Sequence, residues 1–548
     1  NGSMMTAPGM RRRLQELRQR GGRLIVIDPR RTETAELADR HLFIRPGTDA
    51  MLLAALLHVL FDEQLVDPDR LTDFTNSIDT VRDLVSDFPP EAVSSATGIP
   101  AEQIVRLARE FATAPSAVCY GRIGVSTQEF GGLCQWLINV LNIVTGNLDR
   151  PGGAMFTTPA VDLLTRTGRG GLGRWRSRVR GLKSFGSELP VAVLAEEILT
   201  DGPDRIRALL TIAGNPVLST PNGGHLDRAL VNLDFMVSID FYLNETTRHA
   251  DLILPPTGPL EHDHYDLAFH VLAVRNTARY SPPVFEPAAD TRHDWQILGE
   301  LQRRLDQRPL GQRARQRFTY LLGPRRLLDL GLRTGPHGSG FAPFGDGLKL
   351  ATLERSPHGV DIGPLQRRLP HRLFTQDKRI ELAPEVLSAD LSRLVQRLDE
   401  SQMSSGDDDT LLLIGRRHLR SNNSWMHNYP RLMGGRPRCT LLINPEDAAR
   451  LSLVDGAHAV LQSRVGRVVV PVEISEQMMP GVVSLPHGWG HHRKGIRLAT
   501  AQQHPGASIN DLTDDGLVDE LVGTAVLSGV PVTVAPANST GDEGLDSE

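Results

Sequence analysis

Val26-Ile27-Asp28, then Glu33-Thr34 and Ala38-Asp39, form a pattern that returns far downstream as Ser238-Ile239-Asp240, Glu245-Thr246 and Ala250-Asp251. Counted from the aspartate, Glu and Thr fall at +5 and +6, and Ala-Asp at +10 and +11, in both copies. In each copy a hydrophobic run ends in Asp, where a buried parallel strand delivers its carboxylate to the carboxyl edge of a sheet. Open α/β sheets bind nucleotides at that edge, and a strand-end Asp suits ribose hydroxyls or the N–H groups of a purine. A duplicated half-site implies a ligand with two nucleotide ends, or two copies of one nucleotide cofactor. The plainer alternative is a pair of similar α/β units whose aspartates only cap loops.

Residues around the first copy alternate strand-like and helix-like segments. The spacing predicts a helix over 8–20 closed by Gly21-Gly22, a strand over 24–28, and a helix over 49–63 capped by Thr48 or Asp49. It further predicts a helix over 101–112, a strand over 117–120 leading into a Gly121–Gly124 loop, and a helix over 135–144. This order indicates βαβ units and a parallel sheet. The second copy is preceded by Ile212-Ala213-Gly214-Asn215-Pro216, an apolar strand ending in a turn, for which the first copy has no counterpart. The first α/β domain is therefore expected over 1–155 and incomplete at its N-terminus. A second is expected over 156–400, with an Arg/Gly-rich exposed loop at 168–186 whose charges are solvated, and poorly packed helices over 303–349.

Residues 401–409, with Ser-Ser-Gly-Asp-Asp-Asp, read as a linker. Beyond them lie short Val- and Leu-rich strands over 410–414, 457–463, 467–474 and 481–485, with one brief helix over 445–451 behind Asn444. Closely spaced strands with a single helix argue for a small β-barrel over 410–535. The polar tail, 536–548, is expected to be disordered.

Bulk properties exclude several classes. A chain of 548 residues exceeds what one core supports. A net charge of −5, from 60 basic and 65 acidic residues, gives no reason to invoke nucleic acid or a membrane. The three cysteines, Cys119, Cys134 and Cys439, form no CxxC pair and supply neither a four-cysteine cluster site nor a disulfide scaffold. The most apolar run, Met51 to Phe61, is too short to span a bilayer. Neither a Gly-x-Gly-x-x-Gly turn after a strand nor a P-loop is present.

Three barrel segments carry more polar and glycine residues than folding needs. The first runs Arg416-Arg417-His418-Leu419-Arg420-Ser421-Asn422-Asn423-Ser424-Trp425-Met426-His427-Asn428. Its amides and hydroxyls suit a pterin or purine edge, its arginines phosphate, and Trp425 a stacked ring. The second, Pro486-His487-Gly488-Trp489-Gly490-His491-His492, has glycines that allow close approach of a ring or phosphate. The third is the Asx-rich loop over 508–515. Each also reads as ordinary turns. His487, His491 and His492 lack the i,i+4 helical setting typical of zinc ligands, so no metal site is assigned to them.

Together these residues resemble the molybdopterin oxidoreductase family of the dimethyl-sulfoxide-reductase type, whose metal is held by two molybdopterin guanine dinucleotides. The resemblance rests on Ile27 to Ala35 with Arg45-Pro46-Gly47-Thr48-Asp49, on Leu141 to Gly153, on Gly214-Asn215-Pro216, and on Glu245 through Pro255 with Glu261. In the barrel it rests on Ser421 to Asn428, His487 to His491 and Asn510 to Thr513. It implies an α/β protein, with two related doubly wound, Rossmann-like domains followed by a C-terminal double-psi β-barrel. It also implies that Asp28, Arg45, Gly47 and Asp49 serve one guanosine, and Gly214, Asn215, Pro216 and Asp240 the other. Arg417, Ser421, Asn423, Ser424, Trp425, His427, Gly488, Trp489, His491 and Asn510 would then contact the pterins.

The implied cofactor is molybdenum or tungsten bis-molybdopterin guanine dinucleotide. The implied activity is a two-electron oxidation or reduction, or oxygen-atom transfer, on a small molecule, with an electron-transfer partner protein or subunit. Such proteins usually carry a [4Fe-4S] module and a metal-ligating Cys, selenocysteine, Ser or Asp upstream of the segment matching residue 1, so no catalytic residue is assigned in this chain. After Asp149-Arg150-Pro151-Gly152-Gly153 come Ala154-Met155-Phe156-Thr157, unlike the strings of formate dehydrogenases or nitrate reductases. That form is similar to the polysulfide, thiosulfate and arsenate branch. A metal-free relative, such as the large subunit of respiratory NADH dehydrogenases, and a non-catalytic cofactor-binding fragment are the alternatives. A cytoplasmic location is expected.

Overall fold

The computed structural model describes residues 3–167, 170–342, 345–403 and 409–537. Most of the expected linker (404–408) and the tail from 538 lie outside the described residues. Ser401, Gln402 and Met403 are the last turn of the helix Leu391–Met403.

The first half is built on one buried helix. Asp49–Asp62 is apolar on nearly every face, and such a helix must sit inside a core. It packs against Pro90–Thr97, the amphipathic Ala101–Thr113 and the almost fully buried Gly131–Val144. Thr48 does not cap it. Its hydroxyl donates to the Arg45 carbonyl at 2.7 Å instead.

The duplicated template repeats its bonds at both aspartates and the threonine, while the +5 glutamates differ, Glu33 lying 3.7 Å from Arg30 and Glu245 2.7 Å from His491. Ile25–Ile27 pairs in parallel with Arg40–Leu42, and Phe235–Ile239 pairs in parallel with Leu252–Ile253 on one side and Ala208–Ile212 on the other. The template aspartate accepts from the backbone two residues on: Asp28 from the Arg30 N–H, and Asp240 from the Tyr242 N–H, each at 2.9 Å. The +11 aspartate ties back to the start of its strand, Asp39 accepting from Leu24 N–H at 2.8 Å and Asp251 from Met236 N–H at 2.7 Å. The +6 threonine accepts from a short helix ahead of the strand, Thr34 from Met4 N–H and Thr246 from Val217 N–H, each at 3.1 Å. The helix Ser3–Thr6 thus occupies in the first copy the place of Pro216–Ser219 in the second.

The third body is a closed six-stranded barrel. Its strand order is Leu411–Arg416, Val482–Pro486, Leu441–Ile443, Arg467–Ile474, His458–Gln462 and Ser528–Pro536, which returns to the first. Two neighbouring pairs are parallel and the remainder antiparallel. The alternating Val and Leu side chains of these strands fill one interior, as period-two patterning requires. The helix Pro445–Arg450 stands between them, capped by the Asn444 side chain on Glu446 N–H.

Two further expectations fail for physical reasons. Residues 117–120 are extended but join no ladder among the described residues. The Asn142 and Asn147 side chains take the backbone groups a neighbouring strand would take: Asn142 exchanges two bonds with Cys119, and Asn147 accepts from Ala117 N–H. The Arg/Gly-rich segment is an antiparallel hairpin, Leu172–Arg176 with Lys183–Phe185, rather than a free loop. Its turn arginines are not merely solvated, since Arg180 binds Glu196 at 2.7 Å and the Asp515 carbonyl at 2.9 Å, fastening the hairpin to the barrel. Gly168 and Arg169 lie outside the described residues.

A buried ion cluster locks the second half to the barrel. Asp227 accepts from Arg248, His249 and Arg493, and Arg493 also reaches Asp511. Burial raises the Asp227 carboxyl, but the His249 hydrogen bond and the Arg493 and Arg248 guanidinium groups outweigh it and hold it at about 2. A depressed carboxyl stabilises the fold fully above its unfolded value near about 3.9, and loses that contribution as pH falls through about 2. The shift corresponds to about 2 kcal/mol. Acid unfolding followed by circular dichroism is expected to start at higher pH in Asp227→Asn, and an unchanged acid limb would refute this assignment.

Candidate functional site

The barrel is sewn to both template loops at one template position. Three residues past the aspartate, Arg31 N–H donates to the Gln477 carbonyl at 2.7 Å, and the Leu243 carbonyl accepts from Arg497 N–H at 2.8 Å. The turn between the barrel strands Arg467–Ile474 and Val482–Pro486 thus meets the first half-site, and the loop after Val482–Pro486 meets the second.

Between the first half and the barrel lies a cavity of about 720 Å³. Asp28, Gly47, Asp49, Arg417, Ser421 and Asn423, which the sequence reading selected, all line it. A second cavity of about 900 Å³ adjoins it, sharing Pro46, Gly47, Gln128 and Ser528, and adds Arg45 with Arg176, Arg180 and Lys183 of the hairpin. The electrostatics favour an anion. Arg30, Arg416 and Arg417 crowd the first cavity. Burial lowers all three guanidinium groups, Arg416 to about 10 with Arg30 adding to the effect. Burial and then Arg417 push the His487 ring down to about 4. Burial raises the Asp49 carboxyl, against the hydrogen bond it accepts from Gln128 Nε2 at 2.8 Å.

The cavity also presents unfilled polar and steric space. Gln128 Oε1 and His418 Nδ1 are buried and receive no hydrogen bond from a described residue. Gly47 has φ +90°, and a side-chain carbon there would meet nothing within 4 Å. Buried polar atoms without partners are costly unless a ligand satisfies them. A planar, hydrogen-bonding group with an anionic end fits these residues.

The second half-site is packed more closely. Asp240 is buried, with one oxygen on Tyr242 N–H and the other 3.3 Å from Asn244 Nδ2; burial raises its carboxyl against these bonds. Gly214, Asn215 and Pro216 form the turn into Pro216–Ser219, and Asn215 Nδ2 donates to Glu245 at 2.7 Å. Asn510 holds the Leu218 carbonyl at 2.7 Å, and His491 binds Glu245 at 2.7 Å. His427 is buried beside His491.

The remaining selected residues stand apart from the first cavity. Trp425 is 46% exposed and lines neither cavity. Trp489 is buried with Met433 and Cys439. Ser424 and Gly488 form a contact between the two barrel loops, in which Gly488 packs against the backbone of Asn423 and Ser424. The sequence reading missed Gln128, Arg30 and the loop over 120–125, which also line the cavity. The glycines of that loop and the place of Arg30 in the string over 27–35 were the signals the sequence offered.

A family model described as "Molybdopterin oxidoreductase" matches residues 5–304, more than half of the chain, and one described as "Molydopterin dinucleotide binding domain" matches residues 411–531. The chain belongs to the molybdopterin oxidoreductase family. It is 27% identical to a probable oxidoreductase, YoaE, of Bacillus subtilis, over 94% of this chain and 71% of that protein. It is 25% identical to the alpha subunit of F420-dependent formate dehydrogenase 2 of Methanococcus maripaludis, over 87% of this chain and 69% of that one. Its fold matches the solved acetylene hydratase of Pelobacter acetylenicus with a TM-score of 0.73 and 20% identity, over 96% of this chain and 76% of that one. As a member of this family it is an oxidoreductase with a molybdenum or tungsten bis-molybdopterin guanine dinucleotide cofactor, and its barrel is the family's double-psi domain. Among the described residues no helix is long and apolar enough to cross a membrane.

Proposed function

We propose that this chain is the catalytic subunit of an enzyme performing a two-electron oxidation or reduction, or oxygen-atom transfer, on a small molecule, with electrons exchanged through a partner protein. The carrying observation is the matched pair of template loops, each bound at the same position to one barrel, the first of them beside a cavity lined by both arginines and carboxylates. When bound, the metal–pterin centre supplies the two-electron chemistry. The chain's own residues bind and orient it. Arg30, Arg416 and Arg417 offer charge to phosphate, Asp28 and Asp49 offer carboxylate oxygens to N–H or ribose groups, and Gln128 and His418 offer unused polar atoms. A cytoplasmic setting belongs to the same proposal, supported by three free cysteines, two of them buried.

Guanine nucleotides released on denaturation test the paired sites. The natural protein should release two per chain, and Asp28→Ala should lower retention of one of them about tenfold, the effect of losing about 1.4 kcal/mol of charge-assisted hydrogen bonding. A single nucleotide from the unaltered enzyme, or an unchanged count in the variant, would contradict the assignment.

A further inference from the structure

Four side chains at the seam between the second half and the barrel form one unbroken row. Glu245 Oε1 lies 2.7 Å from His491 Nδ1, His491 Nε2 lies 2.9 Å from His427 Nδ1, and His427 Nε2 lies 2.8 Å from Ser421 Oγ. Each of the four is at most 2% exposed. One end of the row reaches the template turn through Asn215, and the other end, Ser421, lines the cavity beside Asp28.

The atoms allow only two arrangements of hydrogens. Glu245 is a carboxylate, so His491 Nδ1 carries a hydrogen in both. With one extra proton in the row, His491 Nε2–H donates to His427 Nδ1, and His427 Nε2–H donates to Ser421 Oγ. The Ser421 hydroxyl hydrogen is then free to donate into the cavity. Without that proton every bond beyond His491 reverses. His427 Nδ1–H donates to His491, and Ser421 O–H donates to His427, leaving only oxygen lone pairs toward the cavity.

The surroundings disfavour the extra proton on His427. Burial, then His491, Arg438 and His418, push the His427 ring down to about 3. Burial raises the Glu245 carboxyl, but the His491 hydrogen bond and charge and the Asn215 amide outweigh it and keep it below its ordinary value. The neighbouring Arg493 is already matched by Asp227 and Asp511, and the Trp489 ring covers the other face of His427 at 4.2 Å.

We propose that Glu245, His491, His427 and Ser421 form a one-proton store that sets whether Ser421 donates or accepts toward the pterin cavity. The link to pterin rests on the cavity assignment above. Discharge moves one proton from Ser421 Oγ to an acceptor in the cavity, while the hydrogen on His427 Nε2 passes to Ser421 and the one on His491 Nε2 passes to His427. Recharging reverses the three moves. The row thus ties the hydrogen bonding of one half-site to the protonation of a pair anchored in the other.

Ring nitrogen NMR of the full-length holoenzyme labelled with ¹⁵N-histidine tests the store directly, with His427→Asn and His491→Asn supplying the assignments. The pair should take up a single proton, and no second one, across the range of pH in which the enzyme stays folded. Glu245→Gln should leave the pair neutral there, while Ser421→Thr should preserve the uptake. Pterin retained after dialysis, read by fluorescence on denaturation, tests the link. Its pH dependence should flatten at least fivefold in Ser421→Ala and survive in Ser421→Thr. Uptake that persists in Glu245→Gln overturns the store. A pH dependence unchanged in Ser421→Ala overturns the coupling, and unaltered enzyme that purifies without pterin overturns the cavity assignment instead.

Discussion

Gly488→Ala is expected to lower the pterin content of the purified protein more than tenfold. Gly488 has φ +94°, where a side chain is strained, and an added carbon would lie 2.2 Å from the Asn423 carbonyl oxygen and 2.5 Å from its carbon. Both are backbone atoms, in a loop where Asn422 and Asn423 already have positive φ. Relief therefore requires the loops over 421–424 and 487–490 to part. These two loops present Ser421, Asn423 and His487 to the cavity, so their separation acts on the site more than on the barrel core. The strain and overlap together amount to about 3 kcal/mol or more. Gly47→Ala is the informative comparison, because its new carbon meets nothing within 4 Å and only the backbone strain of about 1 kcal/mol remains. Equal pterin content in Gly488→Ala and the natural protein would show that the loop contact does not shape the site.

Asp149→Ala should produce the largest loss of stability, about 3–5 kcal/mol, seen as a fall in apparent Tm on the order of 10 °C. The Asp149 side chain is fully buried and joins three separate stretches of chain. It accepts from Arg70 at 2.5 Å, and from the backbone N–H groups of Arg368 and Leu369 at 2.9 Å. Truncation leaves two buried N–H groups with no acceptor and the Arg70 guanidinium with only the carbonyls of residue 149 and Leu369, which costs far more than the lost attraction. Asp149 lies in the string Asp149-Arg150-Pro151-Gly152-Gly153 that resembles a family hallmark, and in this structure that aspartate is a fastening point. A Tm shift below about 2 °C would show that water or a rearranged Arg70 replaces the carboxylate.

Much of the architecture was legible because it depends on periodicity and local bonding. The run over 50–61, apolar but for His58, had to be a core helix, and the Val-rich run over 467–474 read as a barrel strand. The strand over 117–120 was misread because apolar composition does not reveal whether a partner strand is present, and here asparagine side chains take its backbone groups. The Arg/Gly-rich hairpin was hidden for the opposite reason. Its arginines look solvated in one dimension, while their carboxylate and carbonyl acceptors lie elsewhere in the chain.

The candidate site divides along the same line. The sequence by itself determined the twin strand-end aspartates, because a repeat in residue spacing is a repeat in local hydrogen bonding. The Asp28 and Asp240 turns and the Asp39 and Asp251 ties join residues at most 15 apart in the chain, and the Thr34 and Thr246 acceptors repeat at separations of 30 and 29 residues. Only the tertiary structure decided that the two copies differ in surroundings, with Asp28 lining a cavity and Asp240 buried. It alone joined Glu245 to His491, His427 and Ser421. The Glu245–His491 contact, between residues 246 apart, depends on how the barrel docks against the second half, and the His491–His427 contact depends on how two barrel loops fold together; no local pattern encodes either distance.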